Sequence, residues 1–219
     1  MNEYLTEREQ LELFREWWRE YGWYLVGGAA FAVLGYFGWN QYLAREQSVA
    51  EQAAALYLEL QQAVDDDSPE ADRILAELHA DHPDSPYAHQ GSLLIARDVL
   101  ISDPARATEE LRRVMTTSSD AELAMVARLR LARVLAWRES YDEALALLEV
   151  AEPGQFAARI SEIEGDIHVD LGDETAARAA YERALAEPGW ETLDRNLLSI
   201  KLNDLEPVQT VSAAGEEVE

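Results

Sequence analysis

Cysteine is absent from all 219 residues, and lysine occurs once, at Lys201. Without cysteine the fold has no disulfide and no thiolate for a metal, so it tolerates an oxidising compartment without being tied to one. Basic side chains number 18 against 43 acidic ones, a formal net charge of -25. This excludes nucleic acid as a partner, because phosphate neutralisation needs clustered Lys and Arg. It also argues against soft attachment to anionic lipid. Such acidity can equally be an adaptation of the organism to salt and then says nothing about partners. No G-x-S-x-G elbow, phosphate-binding loop or dinucleotide fingerprint occurs, so neither enzymatic activity nor a cofactor is expected. Carboxylate pairs abound, but 43 acids make chance pairs inevitable. The histidines are His79, His82, His89 and His168; two of them sit beside Asp81 and Asp84 in the run HADHPD. They straddle an expected helix end before Pro83 and read as a solvated terminus rather than a metal site. Sustained period-2 alternation is missing too, so no sheet is expected.

What stands out instead is an uncharged run, residues 21–44, YGWYLVGGAAFAVLGYFGWNQYLA. At about 1.5 Å per residue it is long enough to cross a hydrocarbon core of about 30 Å. Trp23 and Tyr24 lie near one end and Trp39 and Tyr42 near the other, where amphipathic aromatics favour the headgroup interface. A buried core helix is one alternative, though such helices rarely run this long without a charge. A cleaved signal peptide is another. It fails on its flank, which carries six Glu against three Arg and no basic start, and no A-x-A site closes the run. The run therefore reads as an uncleaved anchor. Arg8, Arg15 and Arg19 precede it and Arg45 follows, which puts the N-terminus in the cytoplasm and everything beyond Arg45 across the membrane. Gly28, Ala32 and Gly35 share one side of this helix, with Gly27 and Gly38 on a neighbouring stripe. Two explanations stand: a helix-packing face, or the general abundance of glycine in membrane helices.

The expected organisation is a tail over residues 1–20, the anchor over 21–44, a helical domain over 45–205 and a disordered acidic tail over 206–219. The first tail carries Leu5, Leu13, Phe14, Trp17 and Trp18 among Glu and Arg. It is either an amphipathic helix on the inner membrane surface or an extension of the anchor. Residues 46–64 lack Pro and Gly and read as a helix, continuous with the anchor or bent near Arg45. Ser68 and Pro69 are expected to cap and open the next, with Ala71, Ile74, Leu75 and Leu78 on its apolar face. Further helices are expected near 86–101, 104–116, 120–138, 141–151, 156–170, 173–186 and 191–205. A capping box, Ser119-x-x-Glu122, opens the helix expected near 120–138.

These helices repeat. Ala132 aligns with Gly165, Ala144 with Ala177, Leu148 with Tyr181 and Ala151 with Ala184, each 33 residues apart. An upstream copy holds Ala96, Ala107, Leu111 and Val114, and a weaker one Ala71, Leu75, Leu78 and Pro83. Small residues where two helices cross, larger apolar ones between, and a closing Pro188 resemble the tetratricopeptide repeat. The helix-A Trp of that family is absent from every copy. The fold class is all-α: a single transmembrane helix followed by a tetratricopeptide-like α-solenoid of degenerate helix hairpins, capped by 191–205. An unrelated α-hairpin array would have nearly the same architecture.

By that resemblance the groove-facing positions are Leu93 and Arg97, Leu129 and Arg133, then Glu162 and Asp166, with Arg130 beside them. Family members that clamp a peptide carboxylate use Lys and Asn there, and this chain lacks that set. Yet residues 97–138 hold eight arginines and six acids in an otherwise very acidic chain. Arg128, Arg130, Arg133 and Arg138 fall on one expected helix. Either they form a binding strip for unfolded segments or an acidic partner, or they pair internally with surplus Glu and Asp.

The order of parts adds a second resemblance. An acidic tail with an aromatic run precedes a glycine-rich anchor ending in GWNQY. LRLARV, then EGDIHVDLGDETAARAAYERAL, then IKLNDL follow. Over about residues 1–205 this is similar to the YfgM family of ancillary SecYEG translocon subunits. The resemblance implies a single-span protein of the bacterial inner membrane with its repeat domain in the periplasm. It also implies association with SecYEG and with PpiD, a membrane-anchored folding factor, and help in handing newly translocated proteins to periplasmic chaperones. A scaffold for another envelope complex, without chaperone activity, is the alternative.

Overall fold

The computed structural model describes residues 7–205. The expected disordered tail, 206–219, lies outside the described residues, as do 1–6. By its contacts the chain divides into two compact units, residues 1–55 and 56–219.

The first helix, α1 (Glu7–Asp65), starts in the first unit and runs without a break through the tail, the uncharged run and the Ala-rich segment. No proline lies between Glu7 and Asp65. The glycines cost only about 1 kcal/mol each relative to alanine, so there is neither a separate tail helix nor an interruption at Arg45. In the first unit, aromatics stack one turn apart: Phe14 on Trp18 with ring centres 6.1 Å apart, and Trp17 against Tyr21 at 6.1 Å. Asn40 and Gln41, with the glycines, tyrosines and tryptophans, hold down the mean hydropathy of 21–44. Among the described residues no helix is long and apolar enough to cross a membrane.

The second unit holds the end of α1 and eight further described helices: α2 (Ala71–Asp81), α3 (Pro86–Asp98), α4 (Pro104–Thr117), α5 (Ala121–Trp137), α6 (Tyr141–Leu148), α7 (Ala157–Asp170), α8 (Glu174–Ala186) and α9 (Arg195–Asp204). It is all-helical among the described residues. Local chemistry explains the starts. Ser85 and Asp103 each cap a helix whose first residue is proline, accepting from the amides of Tyr87 and Arg106. Asp173 and Asp194 do the same for α8 and α9. Two expected caps are corrected. Asp120, not Ser119, accepts from the amides of Glu122 and Leu123 and opens α5. Ser68 accepts from the amide of Glu70 in the turn before α2, which begins at Ala71.

From α2 onward each helix packs chiefly on its sequence neighbours, with α3/α4, α5/α6 and α7/α8 forming successive hairpins. Alanines fill the crossings: Ala107, Ala132, Ala144 and Ala177 are fully buried. Leu131, Leu135, Leu148, Ile163 and Ile167 form the apolar layer between hairpins. At the last crossing Gly165 lies directly against the ring of Tyr181, where a Cβ would overlap it. Leu193, Leu198 and Leu205 close the array over Tyr181 and Ala184. Gly189 adopts φ +88°, and its backbone lies so near the Gln155 carbonyl that no Cβ fits. That approach seats the chain before α9 against the start of α7, where the Ala158 amide donates to the Pro188 carbonyl at 3.2 Å.

Candidate functional site

The first helix of each hairpin contributes one wall of a shallow groove. Its three adjoining hollows lie within the second unit. The first, about 520 Å³, is bounded by Tyr57, Gln61 and Asp65 of α1, by Gln90, Leu93, Leu94 and Arg97 of α3, and by Arg130. The second has Leu93, Ala96, Leu100, Leu111 and Val134 as its floor and Arg97, Arg130 and Arg133 as its rim. The third passes between α5 and α7, over Val126, Leu129 and Phe156, with Arg130, Arg133 and Arg159 around it. Successive helical turns set this pattern: Leu93 and Arg97 are four residues apart, as are Leu129 and Arg133. Asp65 is the only carboxylate among these lining residues.

The arginines divide in their partners. Arg97 and Arg130 are exposed, and neither makes an ion pair among the described residues. Arg128 donates to the Leu147 carbonyl at 3.1 Å, and Arg138 reaches the Thr108 hydroxyl at 3.5 Å. Arg133 sits 3.4 Å from Glu162. Internal pairing with surplus acids therefore accounts for Arg133 but not for Arg97 or Arg130.

Glu162, expected to face the groove, is instead buried at 6% exposure. Arg159 reaches it at 2.5 Å and Lys201 at 3.4 Å, so three cations share one carboxylate. Asp166 is not brought to the arginine strip. It lines a separate hollow with Tyr181, Lys201 and Leu205, bonded to Lys201 at 2.6 Å and accepting from the Tyr181 hydroxyl at 2.8 Å. Sequence spacing could not separate these roles, because burial of Glu162 depends on α9, 39 residues further on. Tyr57, Gln61, Gln90, Phe156 and Arg159 are groove residues that the repeat pattern does not mark; Tyr57 and Gln61 lie before the repeats begin, and Gln90 and Arg159 each stand three residues before a marked position.

Burial, then the bond to Asp166, raises the pKa of Tyr181 far above the ordinary value of 10. The folded state thus holds this proton more tightly than the unfolded chain. Its contribution is complete below about pH 10 and is lost as pH climbs above that toward the folded pKa. Tyr181→Phe should lower stability by about 1 kcal/mol at neutral pH. The gap between wild type and variant should shrink above about pH 10 in urea denaturation followed by far-UV circular dichroism. A constant gap to pH 11.5 would show that the hydroxyl is not held.

The histidines are not a solvated terminus. His82 is buried with its Nδ1 unpartnered. The Ser92 hydroxyl, fully buried, donates to Glu110 at 2.7 Å, so the His79 Nε2–H donates to the Ser92 oxygen at 3.0 Å. Burial, then the Arg113 charge, lowers the His79 pKa below its ordinary value. A serine with no access to solvent ties α2, α3 and α4 together rather than attacking a substrate. Among the described residues no group of three or more potential ligands could hold a metal.

Gly28, Ala32 and Gly35 stand on α1 in the first unit, and a Cβ built on Gly27, Gly28, Gly35 or Gly38 would meet nothing within 4 Å. Trp23, Tyr24, Trp39 and Tyr42 are all exposed.

Comparison with known proteins agrees with this architecture. An ancillary SecYEG translocon subunit of Neisseria gonorrhoeae is 28% identical over 94% of this chain and all of its own length. Proteins of the same description from Haemophilus influenzae and Escherichia coli are 27% and 25% identical, over 92% and 94% of this chain and 98% and 99% of theirs. No solved structure matches. The resemblance carried by the order of GWNQY, LRLARV and IKLNDL is thus shown, and a family model for a tetratricopeptide repeat-like domain matches residues 15–207. With its hairpins, small-residue crossings and helix-A groove, the chain belongs to the tetratricopeptide repeat-like domain family.

Proposed function

We propose that this chain is an ancillary subunit of the SecYEG translocon whose repeat groove binds unfolded, newly translocated polypeptides and helps pass them to periplasmic chaperones, beside a PpiD-like folding factor. The observation that carries the binding role is the apolar floor of Leu93 and Leu129 under the exposed Arg97 and Arg130 without carboxylate partners among the described residues. The translocon role leans on the names of the relatives. In this reading residues 21–44 are the anchor in the bacterial inner membrane, N-terminus in the cytoplasm and repeats in the periplasm. Support comes from the absence of charge and from apolar side chains exposed around α1, Phe31 at 80% and Leu34 at 72%. Low mean hydropathy is compatible with that role. The residues that depress it include glycines, which suit helix contacts, and Trp and Tyr, which suit interfaces, beside Asn40 and Gln41 near the end of the run.

Charge reversal tests the groove. Arg97→Glu with Arg130→Glu should weaken binding of a permanently unfolded probe, reduced carboxymethylated α-lactalbumin, by about tenfold or more, that is about 1.4 kcal/mol. The fold should survive, since no described carboxylate loses a partner. Unchanged affinity by fluorescence anisotropy, with helicity retained, would overturn the groove assignment.

Gly28, Ala32 and Gly35 are proposed to receive a partner helix in lipid. Gly28→Leu with Gly35→Leu keeps the run apolar but removes close approach, a loss on the order of 1 kcal/mol or more. Recovery of translocon subunits in mild detergent should fall while membrane levels stay constant. Equal recovery would make the glycines compositional and move recruitment to the repeats. Recovery of wall-assembly or division proteins alone would favour the scaffold alternative.

A further inference from the structure

We propose that the groove selects extended segments in which a carboxylate side chain lies between apolar ones, and turns away equally apolar segments that carry lysine or arginine there; this names the class of segment for the binding role proposed above and rests on it. The charge of the whole chain, -25, argues for the opposite preference. The rim of the groove reverses it locally. Arg130 borders all three hollows, Arg97 the first and second, Arg133 the second and third. Glu162 engages Arg133 and Arg159. Arg97 and Arg130 are therefore the cations of the middle hollow left without an ion pair among the described residues. No carboxylate of the described residues lines that hollow.

An extended segment presents successive side chains to opposite sides. Apolar side chains at alternate positions enter the floor of Leu93, Ala96, Leu100, Leu111 and Val134, which leaves the one between them level with the rim. A carboxylate there meets guanidinium groups, which take it with two parallel hydrogen bonds. A lysine there meets like charges with no acid to offset them, a penalty that a neutral side chain escapes. The first hollow favours a polypeptide over an anionic lipid as the occupant. Tyr57, Gln61 and Gln90 stand along it. Their hydroxyl and amide groups pair with peptide N–H and C=O and find no counterpart on an acyl chain.

The test uses the full chain in nanodiscs of zwitterionic phosphatidylcholine, at about 0.15 M salt, where charges more than about 8 Å away are largely screened. Three fluorescein-labelled, end-capped peptides share one leucine and serine framework. They differ only in the residues between leucines, which are Glu, Gln or Lys. By fluorescence anisotropy the Glu peptide should bind about tenfold more tightly than the Lys peptide, with the Gln peptide between them. Arg97→Glu with Arg130→Glu, helicity retained, should invert that order, and molar salt should flatten it. The long-range field of so acidic a chain gives the reverse order, so a Lys peptide that binds wild type best overturns the proposal. Equal affinities for the three peptides overturn the preference and leave the groove as a binder of apolar segments. Failure of all three, and of reduced carboxymethylated α-lactalbumin, removes the groove reading and this inference with it. Octanoate, a carboxylate on an acyl chain, should not displace the Glu peptide. Displacement as effective as by the unlabelled peptide at equal concentration would assign the hollow to lipid and overturn the proposal.

Discussion

Gly165→Ala should destabilise the second unit by about 1–3 kcal/mol, and Tyr181→Leu added to it should restore most of the loss. A Cβ at 165 would overlap the edge of the Tyr181 ring. That ring cannot swing aside cheaply: it is 2% exposed, packed among Ala158, Ala177 and Leu198, and its hydroxyl is held by Asp166. The rescue is written in the preceding repeat, where the equivalent pair is Ala132 with Leu148, both buried in one apolar cluster. The double variant copies that pair and exchanges one satisfied crossing for another. Urea midpoints of the single and double variants, read by helicity, check this. A single variant as stable as wild type would mean that the ring is not fixed against α7.

Glu162→Ala should loosen α9 from the array. The carboxylate is 7% exposed and collects Arg133, Arg159 and Lys201. Breaking a fully buried pair costs about 3–5 kcal/mol. Here Arg133 is 47% exposed and regains water, so about 2 kcal/mol is the better expectation. Lys201 is the only lysine in the chain, so a lysine-specific protease reports on α9 alone. Cleavage after Lys201 should speed up about tenfold or more, because opening of that helix becomes easier by more than about 1.4 kcal/mol. Asp166→Asn, which leaves Glu162 in place, should accelerate it less. Equal cleavage in wild type and the Glu162 variant would show that the leucines alone hold the helix.

The helix hairpins, their order and the crossing positions were legible because each follows from contacts within about 35 residues: the 33-residue offset, the Pro and Asp starts, and the alanine spacing. Ser119 and Asp120 are adjacent cap formers, and only backbone direction decides between them. In the groove, Leu93, Arg97, Leu129, Arg130 and Arg133 were readable from one-turn spacing on α3 and α5. Glu162 and Asp166 obey the same spacing on α7, yet both were misplaced as open groove positions, because α9 returns over them with Lys201. His82 failed for a like reason: a polar residue before a proline looks solvated until its neighbours close over it.

Packing of each helix on its sequence neighbours also bears on how the chain acquires structure. Few of the contacts require distant segments to find one another, so little loop entropy must be lost before a hairpin is rewarded. Such a chain need not be complete before it begins to fold. The α3/α4 hairpin can form while α7 is still unstructured, and each new hairpin finds a template in the one before it. At the last crossing, Gly165 on Tyr181, α9 and the chain before it supply the covering leucines. The C-terminal cap is therefore the step that converts a growing stack into a finished one.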